Sequence, residues 1–435
     1  MKMNESSRRL FLKKSAMGMA AFSTPSFLIN SRFRRSDDVQ VGVIGCNGMG
    51  WSNLQSMFRN GGIHCRAICD VDQRVVKRRL DEIRSKLEYE PDSYGDYREL
   101  LDDSEIDVII IGTPDHWHCK MMVDACAAGK DVYVEKPIAN SIEECQIMQR
   151  AVERYQSIVQ VGQWQRSSPH FKDAMEFVWS GALGNIRLVK VWAYQGWMKA
   201  ISPKPDTNVP VEVDYKMWLG PAPTRPFNEN RFHFNFRWFW DYAGGLMTDW
   251  GVHLVDIALW GMKAKAPHTV YAAGGKLAYP DDASETPDTL QAIYEYDGFN
   301  MIWEHGTGID SANFGRNHGI AFLGNNGTLV VDRRGWEVIP EKGKMDAVTL
   351  RERDGSDLDR HTSNFLDAVR SKDSTALTCP IDVGSVAAVN CHMGNIAYKT
   401  GEKVFWNPSK DEFTSKKATK LLNAAYHNGW DLPKV

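Results

Sequence analysis

The apolar run Val39–Ile44, followed at once by Gly45-Cys46-Asn47-Gly48-Met49-Gly50, constrains the fold of this chain more than any other stretch. Six apolar residues are the length of a buried strand, three glycines within the next six break it, and Trp51–Arg59 resumes with helical spacing. The same alternation then recurs. Ile63–Cys69 reads as a second strand ending at Asp70, and Gln73–Leu87 as a charged amphipathic helix. Asp107–Gly112 is a third strand, Lys120–Ala128 a helix stopped by Gly129, and Asp131–Val134 a fourth strand. Strands that alternate with helices at this spacing need crossover connections, which gives a parallel sheet wound on both faces.

Beyond about residue 158 the texture changes. Ile186–Tyr194, Thr269–Ala273, Leu290–Tyr296 and Gly319–Phe322 alternate or are β-branched, with few helices between them. They predict a mostly antiparallel sheet with one covering helix around Met247–Trp260. Ile201–Pro226 is Pro-rich and reads as loop, and a last helix over Val383–Tyr398 closes on Gly401. A chain of 435 residues is too long for one ordinary core. The expected organisation is an α/β chain with a doubly wound domain over 36–158 and a second α/β domain over 159–435.

Residues 1–35 stand apart. Ser7-Arg8-Arg9-Leu10-Phe11-Leu12-Lys13 precedes a weakly apolar run from Ser15 to Ile29, too short to span a bilayer. Paired arginines in this setting resemble a twin-arginine export signal, so a periplasmic or otherwise exported location is expected. The formal charge of the chain is −3, with no basic block after the N-terminus, which makes nucleic acid a poor partner. The eight cysteines contain no C-x-x-C pair, and six lie in or beside the apolar segments of the first domain, as small hydrophobes do.

The glycine turn carries the first chemical expectation. A helix N-terminus offers free N–H groups and a positive dipole end to a pyrophosphate. Gly45 would make the tight turn and Gly50 would let helix and strand approach. At the middle position of G-x-G-x-x-G stands Asn47, which tolerates left-handed φ but crowds a phosphate, so Gly48 is expected to take over that role. Asp70 follows Gly50 by twenty residues at the end of a strand, where an acid accepts hydrogen bonds from the adenosine ribose. An acid there repels a 2′-phosphate, which favours NAD, while Arg74 leaves NADP open.

Three further segments complete a pattern: Thr113-Pro114-Asp115-His116-Trp117-His118, Glu135-Lys136-Pro137, and Gly244 to His253 with the spacing D-x-x-x-H. With the glycine turn they resemble the glucose–fructose oxidoreductase / inositol dehydrogenase / rhizopine-catabolism (Gfo/Idh/MocA) family over roughly residues 39–400. The resemblance implies a Rossmann domain joined to a mainly antiparallel α/β domain, with the site between them. The family's Lys, Asp and His fall on Lys136, Asp249 and His253. Cofactor contacts would come from Gly45, Asn47, Gly48, Met49 and Gly50 in the turn and from Asp70. Thr113, Pro114, Trp117 and His118 would add to them, with His118 near the nicotinamide or ribose, as would Glu135 and Lys136. Gln163 and Arg166 would line the cleft, and Trp240 is a candidate sugar contact. A homo-oligomer is expected, and no metal, because His116 and His118 have no third ligand placed by spacing.

The residues make chemical sense without the family. Asp249 and His253 are four apart, so on one helix they share a face and could meet, raising the basicity of the imidazole. His253 would take the hydroxyl proton of a secondary alcohol while Lys136 stabilises an alkoxide or polarises a carbonyl. Tryptophans 192, 197, 218, 238, 240, 250 and 260 crowd the second domain, and indoles suit the faces of sugars. An exported enzyme without a free dinucleotide pool should keep its cofactor and restore it in each turnover. That favours a sugar oxidoreductase with retained NAD. A glycosidase using transient oxidation and an idle sugar-binding module are the alternatives.

Overall fold

The computed structural model describes residues 38–87 and 89–435; the twin-arginine segment lies outside them. The chain opens β1 (Val39–Ile44), α1 (Gly48–Asn60), β2 (Ile63–Cys69), α2 (Gln73–Leu87), β3 (Asp92–Tyr94) and α3 (Tyr97–Leu101). It continues with β4 (Val108–Ile111), α4 (Asp115–Ala127), β5 (Asp131–Val134), α5 (Ile142–Tyr155) and β6 (Val159–Val161). The six strands form one sheet in the order β3-β2-β1-β4-β5-β6, every pair parallel. That is the doubly wound dinucleotide order, whose switch point lies between β1 and β4. Helix α4 begins five residues earlier than expected, because Pro114 serves as its N-cap and Asp115-His116-Trp117-His118 is its first turn.

The second half starts with α6 (Pro169–Trp179), β7 (Leu188–Gln195) and α7 (Tyr215–Leu219), then α8 (Leu246–Asp249) and α9 (Gly251–Met262). Strands β8 (Thr269–Gly275), β9 (Thr289–Tyr296), β10 (Phe299–Thr307), β11 (His318–Leu323), β12 (Gly327–Asp332), β13 (Gly335–Pro340) and β14 (Val348–Glu352) follow. Helices α10 (Asp357–Ser371) and α11 (Ile381–Thr400) precede the closing strands β15 (Val404–Asn407) and β16 (Glu412–Phe413). Ten strands form a second sheet, antiparallel except where β7 and β10 run side by side. Its inner face packs on α6, α9 and α11, where one covering helix had been expected. The inward residues of β10, Phe299, Met301 and Trp303, are buried while Asn300 is exposed and Ile302 half-buried between them, the alternation of a sheet covered on one side.

Two features tie the halves together. Helix α10 returns to the first sheet and docks on α1, where Ser56 and Arg59 both donate to Asp359. The loop between β7 and α8 reaches the other way. It pairs with the chain after β2 through Gln73 N to Glu212 O and Asp214 N to Val71 O. All eight cysteines are free and buried. Among the described residues no helix is long and apolar enough to cross a membrane.

Candidate functional site

A cleft runs along the carboxyl ends of β1, β2, β4 and β5. Its floor is the glycine turn. Gly45 and Gly48 take positive φ (82° and 47°), whereas Asn47 is extended at −99° and acts as the N-cap of α1. A Cβ on Gly50 would stand 2.0 Å from Gly45 O, and one on Gly112 would stand 2.5 Å from Gly50 Cα. Three backbones therefore touch where only glycine fits. A Cβ on Gly48 would meet nothing within 4 Å, which leaves an open approach to the helix end.

That helix end lacks a protein partner. Ser141 and Ser356 cap α5 and α10 through side-chain hydrogen bonds, but Asn47 makes none, and the first turn of α1 holds no acid. Uncapped N–H groups beside an open glycine are what a pyrophosphate requires. Asp70 lines the same cleft and accepts from Cys46 N (2.9 Å) and Asp72 N (3.1 Å), so it also braces the turn. Burial raises its pKa. Arg74 is held by Asp72 through Nε (2.9 Å) and Nη2 (2.7 Å), which takes it from the role of a 2′-phosphate partner.

Of the other residues expected at the cofactor, Thr113, Pro114, Trp117, His118, Glu135 and Lys136 all line the cleft, as does Met49. Several are spent on architecture. His118 sits between Pro137 O (2.7 Å from Nδ1) and Thr113 O (2.8 Å from Nε2), and burial pushes its pKa down to about 4, so the neutral ring donates its single N–H to one of the two carbonyls. Trp117 donates to Trp218 O. Glu135 lies under the turn, accepting from Asn53 Nδ2 at 2.8 Å, with its pKa raised by burial.

The roof comes from the second half: Met217, Trp218, His233, Phe234, Phe236 and Arg237. His233 Nε2 reaches Asp72 Oδ2 at 2.9 Å, fastening the roof over the ribose end of the cleft. The sequence reading missed the 233–237 segment, a single 3-10 turn with no periodicity to reveal it. It missed Asp115 as well, a buried carboxyl on the cleft wall.

At the inner end Lys136 Nζ donates to Asp249 Oδ1 and to Asp249 O, both at 2.8 Å, and Arg237 Nε donates to the same Oδ1 at 3.2 Å. Burial pushes the Asp249 pKa up, but the two cations outweigh it and hold the carboxyl at about 2. The partner of Asp249 is thus Lys136, not His253. The expected helix is interrupted at Trp250 (φ −92°, ψ −34°) between α8 and α9, and the Asp249 carboxylate accepts from Lys136 and Arg237 rather than from His253. His253 is buried beside Trp164, ring centroids 5.9 Å apart, with Nδ1 unpartnered. Burial first, then the charges of Lys136 and Arg333, keep it neutral.

Three residues expected at the substrate have their side chains engaged by other parts of the protein. Gln163 donates to Val252 O inside the core. Arg166 forms a buried fork with Asp256, with N–O distances of 2.8–2.9 Å, because a buried guanidinium needs a carboxylate partner. Trp240 faces a separate small cavity, with Lys399 Nζ 3.8 Å from its ring centre.

Comparison with known proteins agrees with this geometry. Residues 39–163 match the oxidoreductase family's NAD-binding Rossmann fold, and residues 172–432 match its C-terminal alpha/beta domain. The chain belongs to the Gfo/Idh/MocA oxidoreductase family, and its first domain binds NAD. The alpha-N-acetylgalactosaminidase of Shewanella oneidensis is 39% identical over 111 residues, 25% of this chain and 24% of that protein. Glycosyl hydrolase family 109 protein 1 of Shewanella sp. (strain MR-4) is 37% identical over 122 residues, 27% of each. The chain thus matches about a quarter of the length of these curated relatives. A levoglucosan dehydrogenase solved with NADH and levoglucosan superposes with TM-score 0.64 at 18% identity, covering 85% of this chain and 99% of that one. The WlbA dehydrogenase of Bordetella pertussis, solved with NADH and UDP-GlcNAcA, gives 0.61 at 17%, with the same coverage. At these identities the likeness is one of fold.

Proposed function

We propose that this protein is an exported oxidoreductase that retains NAD and acts on a hydroxyl or carbonyl of a sugar or sugar derivative. The observation that carries the reading is Lys136 Nζ, fixed on Asp249 at the inner end of a dinucleotide cleft whose helix N-terminus has no side-chain cap. Bound there, the nicotinamide supplies a hydride acceptor and donor. The protein's own residues supply the rest. Lys136 presents an ammonium, oriented by Asp249, to an oxygen that gains negative charge. His253, kept neutral by burial, is able to accept the hydroxyl proton. The roof from Met217 to Arg237 shields the cleft from water and favours retention of the dinucleotide. Retention suits the export signal, since an exported enzyme must reuse the molecule it carries.

The curated glycosidase relatives support a second reading, in which oxidation is transient and assists glycoside cleavage. One experiment separates the two. Protein purified without added cofactor should release near-stoichiometric NAD(H) on denaturation. When the loaded protein is mixed rapidly with a panel of sugars and glycosides, nicotinamide reduction that persists until a keto-sugar is added indicates a two-sugar oxidoreductase. Transient reduction with release of an aglycone indicates the hydrolase. Protein that is empty, and binds NAD only at millimolar concentration, would sink both readings.

A further inference from the structure

Arg333 occupies the turn between β12 and β13, beside His253, and is partnered unlike its neighbours. Its guanidinium carbon lies 4.5 Å from the ring centre of Trp164 and 4.6 Å from that of Trp250. Two indoles thus hold its plane. Its hydrogen bond runs from Nε to Gln165 Oε1 at 3.1 Å, and Gln165 in turn donates to the carbonyl of His253 at 3.1 Å. Arginines nearby are paired with acids: Arg334 with Asp332, Arg316 with Asp332 and Glu337, Arg166 with Asp256, and Arg237 with Asp249. Arg333 forms no ion pair with a described carboxylate. Burial draws its pKa down to about 10, which leaves it cationic at neutral pH.

A half-buried guanidinium with no ion-paired carboxylate is a ready partner for an anionic ligand. The two indoles lie against the guanidinium and Gln165 takes Nε, so the donors without a protein partner are those of the Nη edge. That edge matches the two oxygens of a carboxylate, in the bidentate geometry peculiar to arginine. A phosphate dianion would call for a second free cation or a helix N-terminus. The other cations near the inner end, Lys136 and Arg237, are committed to Asp249. Trp164 is shared, lying against both the His253 ring and the Arg333 guanidinium, which brings the two groups to one indole.

We propose that Arg333 anchors a carboxylate of the substrate, and that the sugar handled at His253 is a uronic acid or a glycoside of one. The inference rests on the sugar reading above and names the substrate class of that same site. The test uses the NAD-loaded full chain with D-glucuronate, D-galacturonate, D-glucose, D-galactose and glucose 6-phosphate. Binding is followed by calorimetry and by fluorescence of the flanking tryptophans, and nicotinamide reduction by absorbance. A uronate should bind at least tenfold more tightly than its neutral parent. Arg333→Met should erase that preference while neutral-sugar affinity, bound NAD and melting temperature stay near wild type. Arg333→Lys, which keeps the charge but loses the fork, should restore only part of it. Equal binding of uronate and neutral sugar by wild-type protein overturns the proposal without recourse to a variant. So does a preference that survives Arg333→Met, tighter binding of the sugar phosphate, or no sugar binding at all. Uronate binding that depends on Arg333 with no reduction of nicotinamide would leave the anchor standing and remove the oxidoreductase reading. Reduction by neutral sugars alone would do the reverse.

Discussion

The two walls of the cleft are built differently. On the Rossmann wall the key contacts are between backbones, with Gly45, Gly50 and Gly112 meeting where a single methyl group would collide with a carbonyl. On the facing wall they are between side chains drawn from distant parts of the chain, Arg237 with Asp249 and Lys136 with Asp249, and beyond the cleft lining Arg333 lies against Trp164 and Trp250. A wall of backbone tolerates almost no substitution but needs only a few residues to specify it. A wall of side chains can be retuned one residue at a time, which lets one fold serve different substrates.

The largest effect should therefore come from the smallest change. Gly50→Ala puts a Cβ 2.0 Å from Gly45 O, a contact that only a shift of the backbone can relieve. The expected result is loss of the bound dinucleotide together with a destabilisation of roughly 1–3 kcal/mol, the usual cost of overpacking. Dinucleotide released on denaturation and the melting temperature measure the two. A variant that kept its NAD would show that the turn yields, and the contrast between the walls would fail.

The same contrast explains what the sequence made legible. The glycine turn and Asp70 are local, each within a few residues of the strand that places it, so spacing alone pointed to them, whereas the residues after β4 and β5 came with the family resemblance. The facing wall is tertiary. Asp249 and His253 were expected to meet because four residues separate them, but the helix breaks at Trp250 and Lys136 claims the carboxylate. Arg166 was a candidate for the cleft, but no pattern in the sequence announced that Asp256 would neutralise it. His233 to Arg237 sit in a stretch without periodicity, and Arg333 in a tight turn. Nothing short of the folded chain could bring these to one place.

On the side-chain half of the site, His253→Ala should leave the dinucleotide in place, because His253 is not among the residues that line the cleft around the glycine turn. Turnover should fall at least about a hundredfold, the scale for losing a positioned acid–base group. Rapid-mixing kinetics on the loaded protein supplies the rate, and denaturation the cofactor content. Joint loss of both would mean that the walls are not independent. A rate near wild type would move the proton to another group, with Lys136 the first to examine.

The smallest effect is expected at the seam, where Asp115 begins α4 on the Rossmann wall and faces Lys136, Arg237 and Asp249. Burial raises its pKa to about 8, against the pull of Arg237 and Lys136 and with help from the charge of Asp249. The folded chain thus holds a proton on this carboxyl that the unfolded chain gives up near its ordinary value of 3.8. Between those limits the native state binds more protons than the unfolded state, so stability falls as pH rises. The contribution is present in full below about pH 4 and is lost by about pH 8. Asp115→Asn cannot ionise and should not follow that slope. At pH 8 the variant should melt several degrees above wild type, since 1 kcal/mol is worth roughly 2–4 °C in domains of this size. At pH 4 the two should melt together. Thermal scans of the protein as purified, taken at intervals from pH 4 to 8, decide it. A gap that does not widen with pH would show that the cations across the cleft already satisfy the carboxylate, making the seam part of the side-chain wall.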